Sequence, residues 1–404
     1  MSDRLTEAQL IDRLKLVREH GSASAAAIAT GIAPSAFKAS VRAAKALGLT
    51  ANSKISDPTV ALKADLRIAE RQAKTATAEL ETAKKLLGLF ERAPEPPKWL
   101  ARMPRGHAHP GIPMSIWSDW HWGEVVEEEE VGGVNKFNPE VAKVRLRKLV
   151  DKTIYLVDRL GKQEYPGIVI CLGGDMISGD IHEELQDTNA DYIQQTLLEL
   201  QDEIAAALLR IADRFGKVFV PCVVGNHGRM SKKPRMKGRV YTSFEWNLYH
   251  QLKRHFASDA RFRFLIPGET DAYFTVLGHR FLLTHGDSLG VKGGDGIIGA
   301  LGPIARGTFK VGRSEAQIGR DFDTMVIGHW HTYIPRSEAV PVIVNGTLKG
   351  YDEFARLALR VPYSRPSQAL WFVYEEHGIG EQWQVFLEKL HPRVSSGARG
   401  TEAF

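Results

Sequence analysis

The chain has 404 residues, 43% hydrophobic and 25% charged, with a formal net charge of +5. That is globular composition at more than the usual length of one compact domain, so a large unit and a smaller one are expected, and the mild positive charge favours anionic partners without naming one. No stretch approaches the roughly 18 apolar residues of a membrane span, and the opening MSDRLTEAQLIDRL lacks the charged start and apolar core of a secretory leader. The expectation is therefore a cytoplasmic protein with no membrane partner.

Residues 1–55 carry helix-turn-helix punctuation. Thr6 caps a helix to Glu19, with Leu10, Leu14 and Val17 at helical spacing, and Gly21 stops it. Ser22 opens a short Ala-rich helix that meets Gly31, and Pro34 starts another. Ala27, four before the turn glycine, lets the helices cross closely, while Ile32, Phe37 and Val41 are expected to fill the shared core. The last helix then exposes Ser35, Lys38, Arg42 and Lys45 with no acidic neighbour, the chemistry of a DNA major-groove contact. The competing reading is a small bundle that mediates assembly.

Asp57 and Pro58 begin a second kind of segment, residues 56–93. Leu62, Leu66, Ala69, Ala73, Ala76, Leu80, Ala83, Leu87 and Phe90 alternate four and three apart, a heptad seam that predicts either a parallel coiled-coil homodimer, the favoured reading, or a helix folded back on another. Pro94, Pro96 and Pro97 end it and open a linker over residues 94–112.

Residues 113–392 alternate short apolar runs with amphipathic helices. MSIWS, a helix over 139–160, GIVICLG, a helix over 191–215, VFVPCVV and a helix over 243–256 predict an α/β sheet. YFTVL, RFLLT, TMVIG, VPVIVN, LWFVY and QVFLEKL follow with short connections and predict a second, more antiparallel sheet. The expected architecture is an α/β two-sheet β-sandwich flanked by helices, preceded by an all-α N-terminal region and followed by a flexible tail over residues 393–404. Cys171 and Cys222 fall inside apolar strands, where a thiol acts as a small hydrophobe.

Five of these strands end in metal-binding groups. They are Asp119 and His121 in SDWHWGE, Asp175 in LGGDMISGD, Asn226 and His227 in VGNHGRM, His285 in LLTHGDS, and His329 and His331 in IGHWHT. Carboxyl ends of strands in an α/β sheet form the ligand crevice, so these residues can converge from distant positions. A D-x-H or H-x-H spacing on an extended segment would place both side chains on one face. A lone histidine is more often structural; five ordered motifs, each with a glycine, are not read that way.

The order D-x-H, G-D, G-N-H, H and G-H-x-H resembles the calcineurin-like metallophosphoesterase family, over the stretch from Pro113 to the C-terminal strands. The resemblance implies that Asp119, His121 and His331 bind one metal, that Asn226, His285 and His329 bind another, and that Asp175 bridges them. It also implies that His227 contacts the scissile phosphate and protonates the leaving oxygen after attack by a metal-bridging hydroxide. Mixed imidazole, carboxylate and amide ligands suit Mn, Fe, Zn, Co or Ni rather than an all-oxygen Mg site, and manganese is the first choice. Asp180, His182 and Glu183 are candidate outer contacts. One position departs from the family pattern: Gly228 follows His227 where many members carry Asp or Glu, and Asp287 is a candidate to compensate.

D-x-H-x-G at residues 119–123 looks like the branch of DNA-repair nucleases and phage-encoded phosphoesterases, and the G-D-x-V-D-R-G form of protein phosphatases is missing. Arg229, Lys232, Lys233, Arg235, Lys237 and Arg239 form an acid-free basic run that could track a nucleic-acid backbone; the bland reading is a solvated loop. Lys292, Arg306, Lys310 and Arg313 decorate a second, Gly-rich stretch expected to be a loop that closes over substrate. The leading expectation is a DNA phosphodiesterase or nuclease. The alternatives are a phosphatase or phosphodiesterase for a small ester or cyclic nucleotide, and a non-catalytic DNA-binding or scaffold protein.

Overall fold

The computed structural model describes residues 5–53, 97–100, 111–159, 164–290, 300–336, 341–360 and 362–389. The heptad segment 56–93, most of the linker and the tail 393–404 lie outside the described residues. The chain divides into two compact units, Met1–Phe90 and Glu91–Phe404.

The described part of the first unit holds three helices, α1 (Glu7–His20), α2 (Ala23–Thr30) and α3 (Pro34–Ala46). The boundaries of α1 and α2 have local causes. The Thr6 hydroxyl accepts from Gln9 N while the Gln9 side chain accepts from Thr6 N, a reciprocal cap on α1. Ser22 accepts from Ala25 N to start α2, and Gly21 and Gly31 end α1 and α2 in the left-handed region that glycine adopts cheaply. Leu10, Leu14, Ala26, Ala27, Phe37, Val41 and Ala44 form the core, with Val17 and Ile32 at its margin. Ser35, Lys38, Arg42 and Lys45 are all exposed.

The second unit is built on two sheets. The first has the order β11-β10-β1-β2-β3-β4, where β1 is Ile112–Trp117, β2 Ile168–Leu172, β3 Val218–Pro221, β4 Phe262–Leu265, β10 Ser367–Tyr374 and β11 Gly378–Phe386. β1 to β4 run parallel, and the β10–β11 hairpin adds antiparallel to β1. The second sheet has the order β5-β6-β7-β9-β8, from β5 (Ala272–Val276), β6 (His279–Thr284), β7 (Thr324–Ile327), β8 (Ile334–Arg336) and β9 (Val342–Val344). Its centre is parallel and its two edge pairings are antiparallel.

Alternation along each strand sets the layers. Ile168, Ile170 and Leu172 of β2 pack with Leu149, Leu200, Leu208 and Leu248, which come from α4 (Pro139–Arg159), α6 (Ile193–Phe215) and α7 (Phe244–His255); a short α5 (Glu183–Thr188) precedes α6. Val169 and Cys171 point the other way, onto Phe274, Phe281 and Val326 of the second sheet. That sheet's outer face, Leu282, Met325 and Ile327, packs against Ile304 of α8 (Leu301–Gln317). The order is helices, sheet, sheet, helix. Among the described residues no helix is long and apolar enough to cross a membrane.

Three sequence expectations are corrected. LWFVY and QVFLEKL join the first sheet as β10 and β11, with β10 beside β1. The short runs FRFL and IPR are strands β4 and β8. Arg306, Lys310 and Arg313, expected on a loop, lie on helix α8; Lys292 and the glycines beside it lie outside the described residues. Glycine hides this helix because it is a poor helix former. Gly307 is nonetheless required there, since a Cβ would stand 2.9 Å from Leu289 Cβ.

Candidate metal centre

The five ligand loops leave β1, β2, β3, β6 and β7 at their carboxyl ends, the two sheets contributing adjacent parallel strands. The motifs converge as expected, but not on extended backbone. Asp119, His121, Asp175, His329 and His331 all have φ between 47° and 68°, the left-handed region. For a non-glycine residue this costs on the order of 1–3 kcal/mol and persists only where surroundings impose it. Here Asp119 N donates to Gly174 O at 3.0 Å and His121 N to Asp175 O at 3.1 Å, so the first two loops hold each other. His329 N donates to Asp119 Oδ1 at 2.8 Å, tying in the fifth. Period-two alternation is thus replaced by turns that aim consecutive ligands inward.

Three sets of donor atoms lie within 4.8 Å of one another: Asp119, His121 and His331; Asp175, His285 and His329; and His121, Asp175 and His227. His285 Nε2 is 3.0 Å from Asp175 Oδ2, His331 Nε2 is 3.4 Å from Asp119 Oδ1, and the Nε2 atoms of His121 and His331 are 3.1 Å apart. Asn226 Oδ1 is buried with no hydrogen-bond partner. A buried acceptor without a donor is costly unless something else binds it.

Each ligand is held from behind. His285 Nδ1 faces Gly173 O at 2.9 Å, which leaves Nε2 toward Asp175. Ser118 Oγ donates to Asp119, and Asn345 Nδ2 donates to that hydroxyl at 2.8 Å. Asp175 Oδ1 accepts from His227 N at 2.7 Å. His121 Nδ1 lies 3.4 Å from Glu124 Oε2; the other Glu124 oxygen accepts from Lys349 Nζ at 2.8 Å, and Lys349 also pairs with Asp352. Glu124, Lys349 and Asp352 are all buried.

Charge follows from this packing. Burial, reinforced by the Lys349 and His227 charges, pushes His121 down to about 3, so its imidazole is neutral. Burial and the neighbouring His285 push His329 down to about 4. Burial opposes charge on His285 as well, but the Asp175 carboxylate prevails and holds it up at about 10. Against the burial cost, His285 and His227 keep Asp175 well below the usual carboxylate range. Neutral His121 and His329 beside ionised Asp175 are the protonation states that cation ligands require, whereas His285 must give up the proton that Asp175 favours before it can bind an ion.

His227 is half-buried, and its ring meets that of His121 edge-on with centroids 4.4 Å apart. Its Nδ1 faces Ser178 O at 2.8 Å, so a carbonyl orients this ring. Burial lowers its pKa while Asp175 and Glu124 pull it up. Asp287, the candidate to compensate for Gly228, pairs with Arg239 at 2.6 Å. His182 lies with its ring 5.8 Å from that of His227, Asp180 is exposed, and Glu183 pairs with Lys232 at 2.7 Å.

The basic run divides. Arg229 turns its guanidinium onto the carbonyls of Asn226, Ser231 and Lys232, and Arg239 and Lys232 are paired as above. Lys233, Arg235 and Lys237 are exposed. Sequence reasoning missed Glu124, Lys349, Asp352, Ser178 and Asn345, as well as Glu245 of α7, whose buried carboxylate accepts from Met176 N and Gly225 N at 2.6 Å each. Glu124 had a signal, standing three residues after His121 in SDWHWGE; the others had none.

No family model matches the chain, and no curated protein does. Among solved structures, the chain is similar to a dimetal phosphatase from Danio rerio at 12% identity and a TM-score of 0.33, over 69% of this chain and 100% of that one. It is similar to Vps29 from Entamoeba histolytica, solved with Zn2+, at 11% identity and a TM-score of 0.29, over 68% and 99%. Similarity to the phosphopantetheinyl hydrolase of Mycobacterium tuberculosis is 13% identity with a TM-score of 0.25, over 63% and 94%. Likenesses this distant assign no chemistry to the chain.

Proposed function

We propose that this protein is a two-metal phosphoesterase of the calcineurin-like kind, hydrolysing phosphodiester bonds, with DNA as its substrate. The observation that carries the reading is the pair of donor sets Asp119–His121–His331 and Asp175–His285–His329, each within 4.8 Å, with His227 beside them. The residues fit two cations: the donors are mixed imidazole and carboxylate, and the orphaned Asn226 Oδ1 supplies an amide oxygen. In this reading Asp119, His121 and His331 hold one ion, Asn226, His285 and His329 the other, and Asp175 both. Manganese is the first candidate, with Fe, Zn, Co and Ni behind it.

When bound, two cations neutralise phosphoryl oxygens and make water acidic enough to supply a nucleophile near neutral pH. The chain's own residues do the rest. Ser178 fixes the His227 ring through Nδ1, which leaves Nε2 free of that bond. Once a phosphate anion lies beside it, charge on the imidazole is favoured, and Nε2–H is placed to protonate the departing alkoxide. Glu124 and Ser118 keep His121 and Asp119 from turning away.

DNA is supported by exposed cations in two places: Lys233, Arg235 and Lys237 on the loop after His227, and Lys38, Arg42 and Lys45 with Ser35 on α3. A small phosphoester is the second reading, favoured by the internal pairing of Arg229, Lys232 and Arg239.

The test is cleavage of labelled single-stranded, duplex and nicked DNA with Mn(II), alongside bis-p-nitrophenyl phosphate, by wild type, Asp175→Ala and His227→Ala. DNA cleavage abolished by Asp175→Ala is the expected result. Turnover of the small diester alone rejects DNA, and no turnover of any ester rejects the enzyme.

A further inference from the structure

Glu245 lies on α7, far in sequence from every ligand, yet it is fully buried against two ligand loops. Its Oε1 accepts from Met176 N, the residue after Asp175, and its Oε2 from Gly225 N, the residue before Asn226, both at 2.6 Å. One carboxylate therefore spans the loop after β2 and the loop after β3. The start of α7 is itself stitched to the second loop, with Phe244 N donating to Gly228 O at 2.8 Å and Met230 N to Thr242 O at 2.9 Å. Gly228 matters for a steric reason: a Cβ there would stand 2.6 Å from Glu245 Cγ, 2.8 Å from its Cδ and 3.0 Å from Ser243 Oγ. These are closer than carbon atoms tolerate, so a side chain at 228 and the side chain at 245 compete for one space.

We propose that Glu245 is a positioning residue for the metal centre, locking the Asp175 and Asn226–His227 loops in register, and that Gly228 and Glu245 form an exclusive pair in which only one position can supply the buried acid. The proposal rests on the metal-binding reading above, and geometry gives it content of its own. A glutamine at 245 has one acceptor oxygen for two N–H donors and turns an NH2 group on the other, so one loop is released. A glutamate at 228 meets Glu245 in a space fit for one side chain. With Glu245 shortened to alanine that space opens, and a carboxylate from 228 has somewhere to go.

Full-length wild type, E245Q, G228E and the double variant G228E/E245A, stripped with chelator, are titrated with Mn(II) by calorimetry and followed by hydrogen exchange of peptides spanning 174–178 and 223–227. E245Q should speed exchange in one of the two peptides and weaken Mn(II) binding by roughly 10–100-fold, the usual scale for removing a supporting group behind metal ligands. G228E should lose Mn(II) binding, and the double variant should recover at least about tenfold of that loss. Wild-type exchange and affinity in E245Q, or wild-type affinity in G228E, overturns the proposal. If E245Q does not fold, the G228E pair decides: a double variant no better than G228E overturns the exclusive pairing. Wild type that takes up no Mn(II) defeats the metal reading instead, and the exchange of the two peptides still decides whether Glu245 clamps the loops.

Discussion

The three-helix unit and the metal-binding rim obtain their shapes by opposite means. In the helical unit the boundaries of α1 and α2 are made by residues within a few positions: Thr6 with Gln9, Ser22 with Ala25, Gly21 and Gly31 at the ends. In the rim, five non-glycine residues sit at positive φ, and the bonds that hold them come from elsewhere in the chain. Asp119 leans on Gly174, His329 on Asp119, and Met176 on Glu245. Local rules thus specify the element whose role needs only an exposed face, while the residues that must converge are placed by tertiary contacts that local preference opposes.

That contrast can be broken at several strengths. Asp175→Ala should have the largest effect, since one carboxylate faces two donor sets: turnover should fall to background and elemental analysis should find at most one bound ion. Two tightly held ions in that variant would dissolve the shared-ligand geometry. Lys349→Met should come next. It leaves Glu124 and Asp352 buried without their cation, and breaking such a group costs roughly 3–5 kcal/mol. Urea unfolding should show the loss in the Glu91–Phe404 unit while helicity of the first unit is unchanged. A parallel loss in both transitions would mean that the units do not act separately. Arg42→Ala with Lys45→Ala should weaken DNA binding evenly across sequences and lower the salt slope by about 1 for each phosphate that is no longer neutralised. An unchanged slope removes α3 from the DNA reading. Thr6→Ala should have the smallest effect, about 1 kcal/mol confined to α1, with metal uptake untouched.

The same contrast explains what the sequence discloses. The ligand motifs are legible because glycine after an apolar run marks a strand end, and the five recur in order. Their backbone is not: Asp119–Trp120–His121 reads as extended, and the turn that replaces it depends on Gly174 and Asp175, more than 50 positions away. Buried charge is equally opaque. Lys349 and Glu245 read as surface residues, and only folding reveals the partners that make them tolerable. The basic run shows the reverse error, since its charges are visible in sequence while the carbonyls under Arg229 and the Asp287 beside Arg239 are not. Helix α8 is hidden because its glycines, of which Gly307 packs closely on Leu289, resemble loop composition.

Strand β1 lies between β2 and β10, and its pairing with β10 joins Ile112 to Val373. The first catalytic strand therefore waits for nearly the last one. At ordinary ribosomal rates of about 5–20 residues per second, that delay is on the order of ten seconds or more. Until then β1 offers an unpaired apolar edge, a template for wrong pairing between nascent chains. Asp119 also lacks its support, because Gln368, which accepts from Ser118 N and Trp120 Nε1, emerges with β10. A ribosome stalled before residue 367 would hold a chain prone to aggregate, and the cell's yield of this protein should depend on how well chaperones shield one strand during that interval.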